Sequence, residues 1–384
     1  VAWNDDGVPS EPRVPSIDFH DSPEPTLGVE WEFALVDRVT RDLVNAASEL
    51  FARVTSQHGP QPRLHKELLR NTVELTTGVC RTVDEAVGEL TDLLALVRPV
   101  AADLGVDLYA AGTHPFATWS SQLLTPGHRY EELIERTQWW GRQMMIWGVH
   151  VHVGIKREHV MPVVTSLLKW YPHLLALSAS SPVWAGTDTG YASNRAMMFQ
   201  QLPTAGLPFH FDDWAGFEAY AGDLLTTGVI EEIDEIRWDV RPAPRLGTVE
   251  VRVCDGITSV REMRAVVALT HCLVVHLVDR LEAGESLPTL PPWHVQENKW
   301  RAARYGLDAW IILDDRSRER LLLEDLEDLL DDLAPVAKRL GCADDLALVR
   351  EIPQRGASYQ RQRTAAERAG HDLVAVVDSV VREL

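Results

Sequence analysis

Apolar and polar side chains alternate through the segment Gly28-Val29-Glu30-Trp31-Glu32-Phe33-Ala34-Leu35-Val36. A strand sends successive side chains to opposite faces, so Val29, Trp31, Phe33 and Leu35 share one face while Glu30 and Glu32 share the other. The alternation returns in Val149-His150-Val151-His152-Val153-Gly154 and in Thr248-Val249-Glu250-Val251-Arg252-Val253-Cys254. It is weaker in Asn71-Thr72-Val73-Glu74-Leu75-Thr76. Each segment predicts a strand with one apolar face and one face bearing Glu, His or Arg. A solvent-facing sheet surface would be rich in Lys, Thr and Ser. Carboxylates and imidazoles in this pattern resemble the floor of a metal site.

Elsewhere the apolar period lengthens to that of helices. Thr82, with Glu85 three positions on, forms a capping box that starts a helix running to about Leu104, and Pro99 is expected to kink its end. A short strand over Asp107–Ala111 leads into the loop Gly112-Thr113-His114-Pro115. Helix is predicted over Tyr130–Trp147, and again from His159 to about Ser180 with a bend at Pro172. Ser181–His210 reads as a long ordered loop, a length that is usually functional. Ile236–Val240 and Thr248–Cys254 predict paired strands joined by a turn at Pro242–Gly247. Helices then fill the rest: Val260–Ala283 (capped by Ser259 with Glu262), Val295–Tyr305, Arg318–Leu340 and Tyr359 to the end. There is no internal repeat, no linker and no regular alternation of strand and helix. The fold class is therefore α+β, an antiparallel (mixed) sheet with helices packed on its apolar face. Residues 1–25 are expected to be a loosely held N-terminal arm, and 26–384 a single catalytic domain.

Composition narrows the function. The chain has 384 residues, 45% hydrophobic and 24% charged, as in an ordinary soluble enzyme. A net charge of -20 argues against nucleic-acid partners and against an anionic membrane surface. It also means that an anionic substrate would need recruited cations or local arginines. The longest apolar stretch, Ala265–Val278, is too short to span a bilayer and contains His271 and His276. The opening VAWNDDGVPSEPRVPS lacks the apolar run of a signal peptide. Cys80, Cys254, Cys272 and Cys342 show no C-x-x-C spacing and read as reduced thiols of a cytoplasmic protein.

The candidate chemistry must be weighed against plainer readings. Glu30 and Glu32 could be solvated carboxylates on an edge strand. Their apolar neighbours instead predict a central strand, where unpaired carboxylates are costly and a divalent cation removes the cost. His150 and His152 fit an H-x-H zinc arrangement, but no Cys or further His nearby closes such a site. The oxygen-rich donor set suits Mg²⁺ or Mn²⁺. Glu250 and Arg252 could form a surface ion pair of little worth, yet Val249, Val251 and Val253 demand burial of the other face. Glu67 could lie on a helix surface, a weaker candidate than Glu74. Arg195 and Arg241 are either solvated cations or forks that orient a phosphate or carboxylate. The tryptophans default to core, with Trp139, Trp140 and Trp147 on one helix. No phosphate-binding P-loop, dinucleotide fingerprint or serine nucleophile elbow is present.

Taken in order, GVEWEF, HKELLRNTVELTTG, AAGTHPF, GVHVHVGI, LSASSPVWAGTDTGYASNRAMMFQQLPTAG, RPAPRLGTVEVRVCDG and ENKWRAARYGLDA resemble the second glutamate–cysteine ligase family. These are carboxylate–amine ligases with a glutamine-synthetase-like catalytic sheet, and the likeness is greatest to actinobacterial members. It runs from about Leu27 to Ala309, and the residues beyond add little. The resemblance implies that Glu30, Glu32, Glu67, Glu74, His152 and Glu250 hold Mg²⁺ or Mn²⁺, with His150 alongside or facing substrate. It implies that Arg195, Arg241 and Arg252 hold phosphate or the carboxylate substrate, Arg195 and Arg252 steadying the transferring group. Lys299, Arg301 and Arg304 fall in a family segment to which no role is attached. The implied activity is ATP-dependent amide formation through an acyl phosphate. Its partners would be ATP, a small acid such as glutamate through its γ-carboxylate, and an amine such as cysteine; a homo-oligomer is compatible. Two rivals share the same acidic face: a metal-dependent hydrolase acting without ATP, and a nucleotide-binding relative without chemistry. The intact set of glutamates disfavours the second.

Overall fold

The computed structural model describes residues 16–384, and in it the Glu30 segment is the central strand of a seven-stranded sheet. The strands are β1 (Leu27–Asp37), β2 (Leu64–Lys66), β3 (Thr72–Thr76), β4 (Val106–Tyr109) and β5 (Gly148–Gly154). A separate two-stranded ribbon, β6 (Val183–Trp184) with β7 (Thr187–Asp188), follows. The sheet is completed by β8 (Val240–Ala243) and β9 (Thr248–Asp255), and a second ribbon pairs β10 (Trp310–Ile312) with β11 (Glu319–Leu321). The main order is β2-β3-β1-β5-β9-β8, with β4 also paired to β1, and every pairing is antiparallel. Pro242 lies in the edge strand β8, where a missing N–H donor is tolerated.

Alternation decides the two faces. Val29, Trp31, Phe33 and Leu35 join Val73, Leu75, Val149, Val151, Val153, Val249 and Val251 in the main core, with residues of the helices Val83–Asp103, Arg157–Leu167, Tyr171–Ser178 and Val260–Glu282. The helix Val260–Glu282 is buried around most of its circumference, as its nearly continuous apolar sequence requires. The opposite face is polar at its centre. At one end a second cluster closes it, where Ala34, Val36, Tyr109 and Trp147 meet Val377 and Val380 of the last helix, Leu373–Glu383.

Several boundaries differ from the sequence reading. Tyr130–Trp147 is not one helix but two short ones, His128–Thr137 and Trp139–Arg142, parted at Gln138, whose φ of 50 ends the first. Trp147 leaves them to be buried, its indole N–H donating to Thr72 Oγ1 at 2.8 Å, whereas Trp139 and Trp140 are exposed. His159–Ser180 divides into Arg157–Leu167 and Tyr171–Ser178. Pro172 sits in the first turn of the second helix, where its lack of an N–H costs nothing, rather than bending a single one. The helix from Thr82 continues past Pro99 to Asp103. Ser181–His210 contains the β6–β7 ribbon and the short helix Asn194–Phe199. Strand β8 begins only at Val240, and the helix predicted from Arg318 begins at Leu322 because β11 precedes it. The C-terminal segment forms two helices, Ser358–Arg368 and Leu373–Glu383. The structure also contains the helices Ala47–His58 and Trp214–Thr226, which the sequence pattern did not predict.

Of the expected N-terminal arm, residues 1–15 lie outside the described residues, and with them most of the opening segment expected not to be a signal peptide. In the rest, the Ile17 N–H donates to Glu218, the His20 N–H to the Pro244 carbonyl and the Ser22 N–H to the Ile155 carbonyl. Among the described residues no helix is long and apolar enough to cross a membrane. All four cysteines are free and buried, with Cys272 Sγ 3.6 Å from Cys342 Sγ.

Candidate active site

Strand register assembles the polar face. Glu32 lies opposite Glu74, Glu30 opposite His150, His152 opposite Glu250, and Glu250 opposite Arg241. Directly paired residues on one face are near neighbours, so five strands bring these side chains into a continuous patch. Glu67 comes from the turn after β2, whose main chain is tied down where the Thr125 hydroxyl donates to the Glu67 carbonyl at 2.5 Å. These groups line a cavity of about 470 Å³. The β5–β9 register shifts between Val149 and Val151, an irregularity opposite the Arg252 segment that sends both Val253 and Cys254 into the core. Such bulges re-aim side chains beside active sites.

The polar face is crowded with like charges and only partly balanced. His150 Nδ1 lies 2.7 Å from Glu30, and His152 Nε2 3.3 Å from it. The other His152 nitrogen meets Thr248 Oγ1 at 2.9 Å. His150 Nε2 is buried without a hydrogen-bond partner, and His152 Nε2 has only the Glu30 contact within hydrogen-bond distance. Burial raises the Glu30 pKa, but the two histidines outweigh it and hold this carboxyl well below its usual range. Burial also opposes ionisation of Glu250, which Arg241, Arg252 and His152 nonetheless keep strongly acidic. Glu67 is balanced only in part, by Arg129: burial, with repulsion from Glu32 and Glu30, pushes it up to about 8. Glu74 is driven well above its usual value by burial and by Glu67, Glu30 and Glu32. Burial and Arg252 lower the pKa of His150, whereas for His152 the effect of burial is overcome by Glu250 and Glu30, which raise it.

Among the described residues two groups of potential ligands emerge, Glu30 with His152 and Glu250, and Glu30 with Glu74 and His150, the ligand atoms of each lying within 4.8 Å of one another. Glu30 belongs to both. Each offers two carboxylates and one imidazole, a donor set that fits an oxygen-preferring divalent cation better than a closed zinc site. The unpartnered His150 Nε2 and the repelling carboxylates are what a cation would satisfy. His150, which the resemblance set beside the metal residues, thus stands within one group. Glu32 and Glu67 line the cavity but belong to neither, and Glu32 accepts the Gly148 N–H at 2.6 Å.

The three arginines singled out from the sequence divide. Arg252 lines the cavity, donates to Glu250 and leaves its buried Nε without a partner. Arg241 lines it as well, but Nε is held by Glu250 at 2.7 Å and Nη1 by the carbonyls of Asp234 and Ile236 at 2.7 and 2.9 Å. Arg195 does not line it. Its guanidinium packs where a side chain at Gly148 would stand, donates to the Arg252 carbonyl at 3.1 Å and balances the buried Asp255. That carboxylate in turn accepts from Ser180 N–H, Ser181 Oγ and Ser193 Oγ, which ties together the serine-rich segment that looked like a loop. Lys299 forms a buried pair with Asp239 at 2.7 Å, Arg301 binds Glu297 and Glu319, and Arg304 donates to the Gly190 carbonyl. Sequence reasoning missed Arg129, Tyr130, Arg237 and Arg245 on the cavity wall. A signal existed for Arg237, which shares its alternation with Arg241.

The model of glutamate–cysteine ligase family 2 matches residues 26–379. The chain belongs to this family. Its match extends well past Ala309, so the C-terminal helices are part of the glutamate–cysteine ligase family 2 unit. A Nocardioides sp. protein provisionally named glutamate–cysteine ligase 2-3 is 68% identical over 369 residues, 96% of this chain and 98% of its own. A Mycobacterium tuberculosis protein provisionally named glutamate–cysteine ligase 2 is 63% identical over 378 residues, 98% of this chain and 100% of its own. Among solved structures, the Francisella tularensis glutamate–cysteine ligase in complex with AMP superposes with a TM-score of 0.70 at 14% identity, covering 95% of this chain and 90% of that one. The Pasteurella multocida bifunctional glutathione synthetase gives 0.67 at 15%, covering 94% of this chain and 52% of that one. These likenesses establish the α+β fold with its antiparallel sheet and helix-covered apolar face. Membership of family 2 makes the protein an ATP-dependent ligase that forms carbon–nitrogen bonds.

Proposed function

We propose that the protein joins a small carboxylic acid to an amine through an acyl phosphate, with the γ-carboxylate of glutamate as the first acid to test and cysteine as one acceptor. The observation that carries this reading is the buried carboxylate–imidazole face, with its two ligand groups sharing Glu30 and with Arg241 and Arg252 beside them on the same face. Mg²⁺ or Mn²⁺ held by Glu30, Glu74, Glu250, His150 and His152, with Glu32 and Glu67 beside them, would neutralise the phosphates of ATP. The chain's own part is then positioning and charge balance, which phosphoryl transfer needs more than covalent help. A carboxylate oxygen attacks the γ-phosphorus and the bond to ADP breaks. The amine nitrogen then attacks the acyl carbon, phosphate leaves, and the nitrogen loses its proton. Arg252, whose side chain lines the cavity, would meet charge on the transferring group. Arg195 supports it from beneath through the Arg252 carbonyl. Four buried free thiols are compatible with a reducing, cytoplasmic setting.

Glutamate labelled with ¹⁸O in its γ-carboxylate tests the route. One label is expected in the phosphate released during ligation with Mg²⁺, ATP and a panel of amines. Product with unlabelled phosphate would exclude the acyl phosphate. ATP hydrolysis that ignores the acid and amine would favour a hydrolase, and nucleotide binding without ADP release a relative without chemistry.

A further inference from the structure

The short helix Asn194–Phe199 joins the buried support of the cavity to its wall: Arg195 lies behind the wall, and Phe199, on the same face of the helix, stands in it. Buried polar groups fix this helix at its start. Ser193 Oγ accepts the Ala196 N–H at 3.1 Å and donates to Asp255 at 2.7 Å. Ser181 Oγ accepts the Arg195 N–H at 3.1 Å and donates to the same carboxylate at 2.6 Å. Asp255 is fully buried, so both hydroxyls hang from an anchor that water does not reach.

Phe199 meets two guanidiniums. Cζ of Arg195 and Cζ of Arg252 each lie over its ring, 5.8 Å from the centroid. A cation this close to an aromatic face is attracted by the ring quadrupole, more strongly where water is excluded. Here the ring is only 8% exposed. Arg252 lacks other means of fixing its plane. Among the described residues its side chain donates only from Nη1, to Glu250 and to His150 Nδ1 at 3.4 Å, and its buried Nε has no hydrogen-bond partner. Glu250 is shared with Arg241 and belongs to one of the candidate ligand groups, so its hold on Arg252 is divided. A guanidinium held at one nitrogen can swing about that point. A ring face against it stops the swing.

We infer that Phe199 is a positioning residue for phosphoryl transfer: its ring, seated on the anchored helix, holds the Arg252 guanidinium in the plane from which it meets the transferring group. Packing alone does not require an aromatic here. Phe199 shares a small apolar cluster with Met144 and Leu202, which leucine would also fill, but leucine offers no face to a cation. The part played by Arg252 rests on the ligase reading; the contact between ring and guanidinium does not.

Two readouts test it, one of them independent of turnover. In the whole chain labelled with ¹⁵N at arginine Nε, the Arg252 N–H signal is the one that Arg252→Lys deletes. Phe199→Leu should move that signal downfield, because the shielding of the ring is lost; an unmoved signal would overturn the inference. Fluorinated phenylalanines placed at position 199 keep the shape of the ring while weakening the negative charge of its face step by step. With Mg²⁺, ATP, L-glutamate and L-cysteine, each added fluorine should slow ADP release further. Phe199→Leu should lower kcat about 2- to 30-fold, the worth of one cation–π contact, with KM for ATP and glutamate unchanged. Phe199→Tyr, which keeps the face, should recover most of the rate. A raised KM at native kcat would make Phe199 a binding surface, and indifference to fluorination would make it packing; either result overturns the inference. If Arg252→Gln turns over at the native rate, or no amine supports ADP release while the Arg252 signal still moves, the role in transfer falls with the ligase reading and the contact alone stands.

Discussion

Glu32 and Glu250 share a sheet face but face opposite surroundings, and substitution should separate them. Glu250 lies between two arginines, whereas Glu32 adds to the repulsion on Glu67. Glu250→Gln is expected to abolish ADP formation and to cost about 3 kcal/mol of stability, because it strands two buried cations. Glu32→Gln should abolish ADP formation with stability unchanged or raised; native turnover in either variant would dismantle the shared face. Gly148 is equally constrained. A Cβ there would overlap the Arg195 guanidinium, so Gly148→Ala should cost about 1–3 kcal/mol in urea unfolding and disturb Arg252 through its carbonyl.

His114 offers a pH test remote from the glutamates. Its Nδ1 accepts the Ala117 N–H at 3.0 Å and its Nε2 lies 2.8 Å from the Arg41 carbonyl, so the ring is held neutral in the loop that follows β4. Burial lowers its pKa to about 4, only partly countered by the Arg41 carbonyl. The unfolded chain therefore binds this proton more readily, and stability present above the ordinary value of 6.5 is lost as pH falls toward 4. That loss is about 2 kcal/mol by pH 5. Urea midpoints at pH 7 and pH 5 should show a steeper fall for the native chain than for His114→Asn.

Among elements, the join between the helix Pro292–Tyr305 and the segment leading into β8 depends on one buried pair. Lys299 Nζ meets Asp239 at 2.7 Å, and the Tyr171 hydroxyl donates to the same carboxylate at 3.1 Å. Asp239 in turn offers its carbonyl to the Arg252 N–H. Lys299→Met should cost about 3–5 kcal/mol by stranding Asp239, and adding Asp239→Asn should restore part of it. No recovery would mean that packing, not charge, makes the join. The sequence showed a family segment here but no partner, because Lys299 and Asp239 lie far apart in the chain. Helix breaks were hidden for a related reason. The apolar period continues across Gln138 and Trp170, and only packing decides where the backbone turns.

At the scale of the molecule, the charge of -20 and the unbalanced glutamates make cations stabilising. Mg²⁺ or Mn²⁺ is expected to raise the thermal midpoint beyond NaCl of equal ionic strength, and Glu32→Gln to diminish the rise. Metal analysis should find no tightly held zinc. One zinc per chain, required for turnover, would refute the oxygen-ligand assignment.

Strand alternation is a local consequence of backbone stereochemistry, so the sequence alone determined which residues share a face. Glu30 with Glu32, His150 with His152 and Glu250 with Arg252 were legible for that reason, as was the apolar side that draws helices over it. The helix starts at Thr82 and Ser259 were legible too, since a cap and its partner lie three residues apart. Register between strands was not, and it is register that sets Glu30 against His150 and His152 against Glu250. Nor could local pattern tell a cavity arginine from a supporting one. Arg195 carries the family motif yet lies beneath the wall, while Arg129 and Arg237, without a motif, stand on it. Burial and charge balance are sums over neighbours from every part of the chain, so only the folded structure decides them.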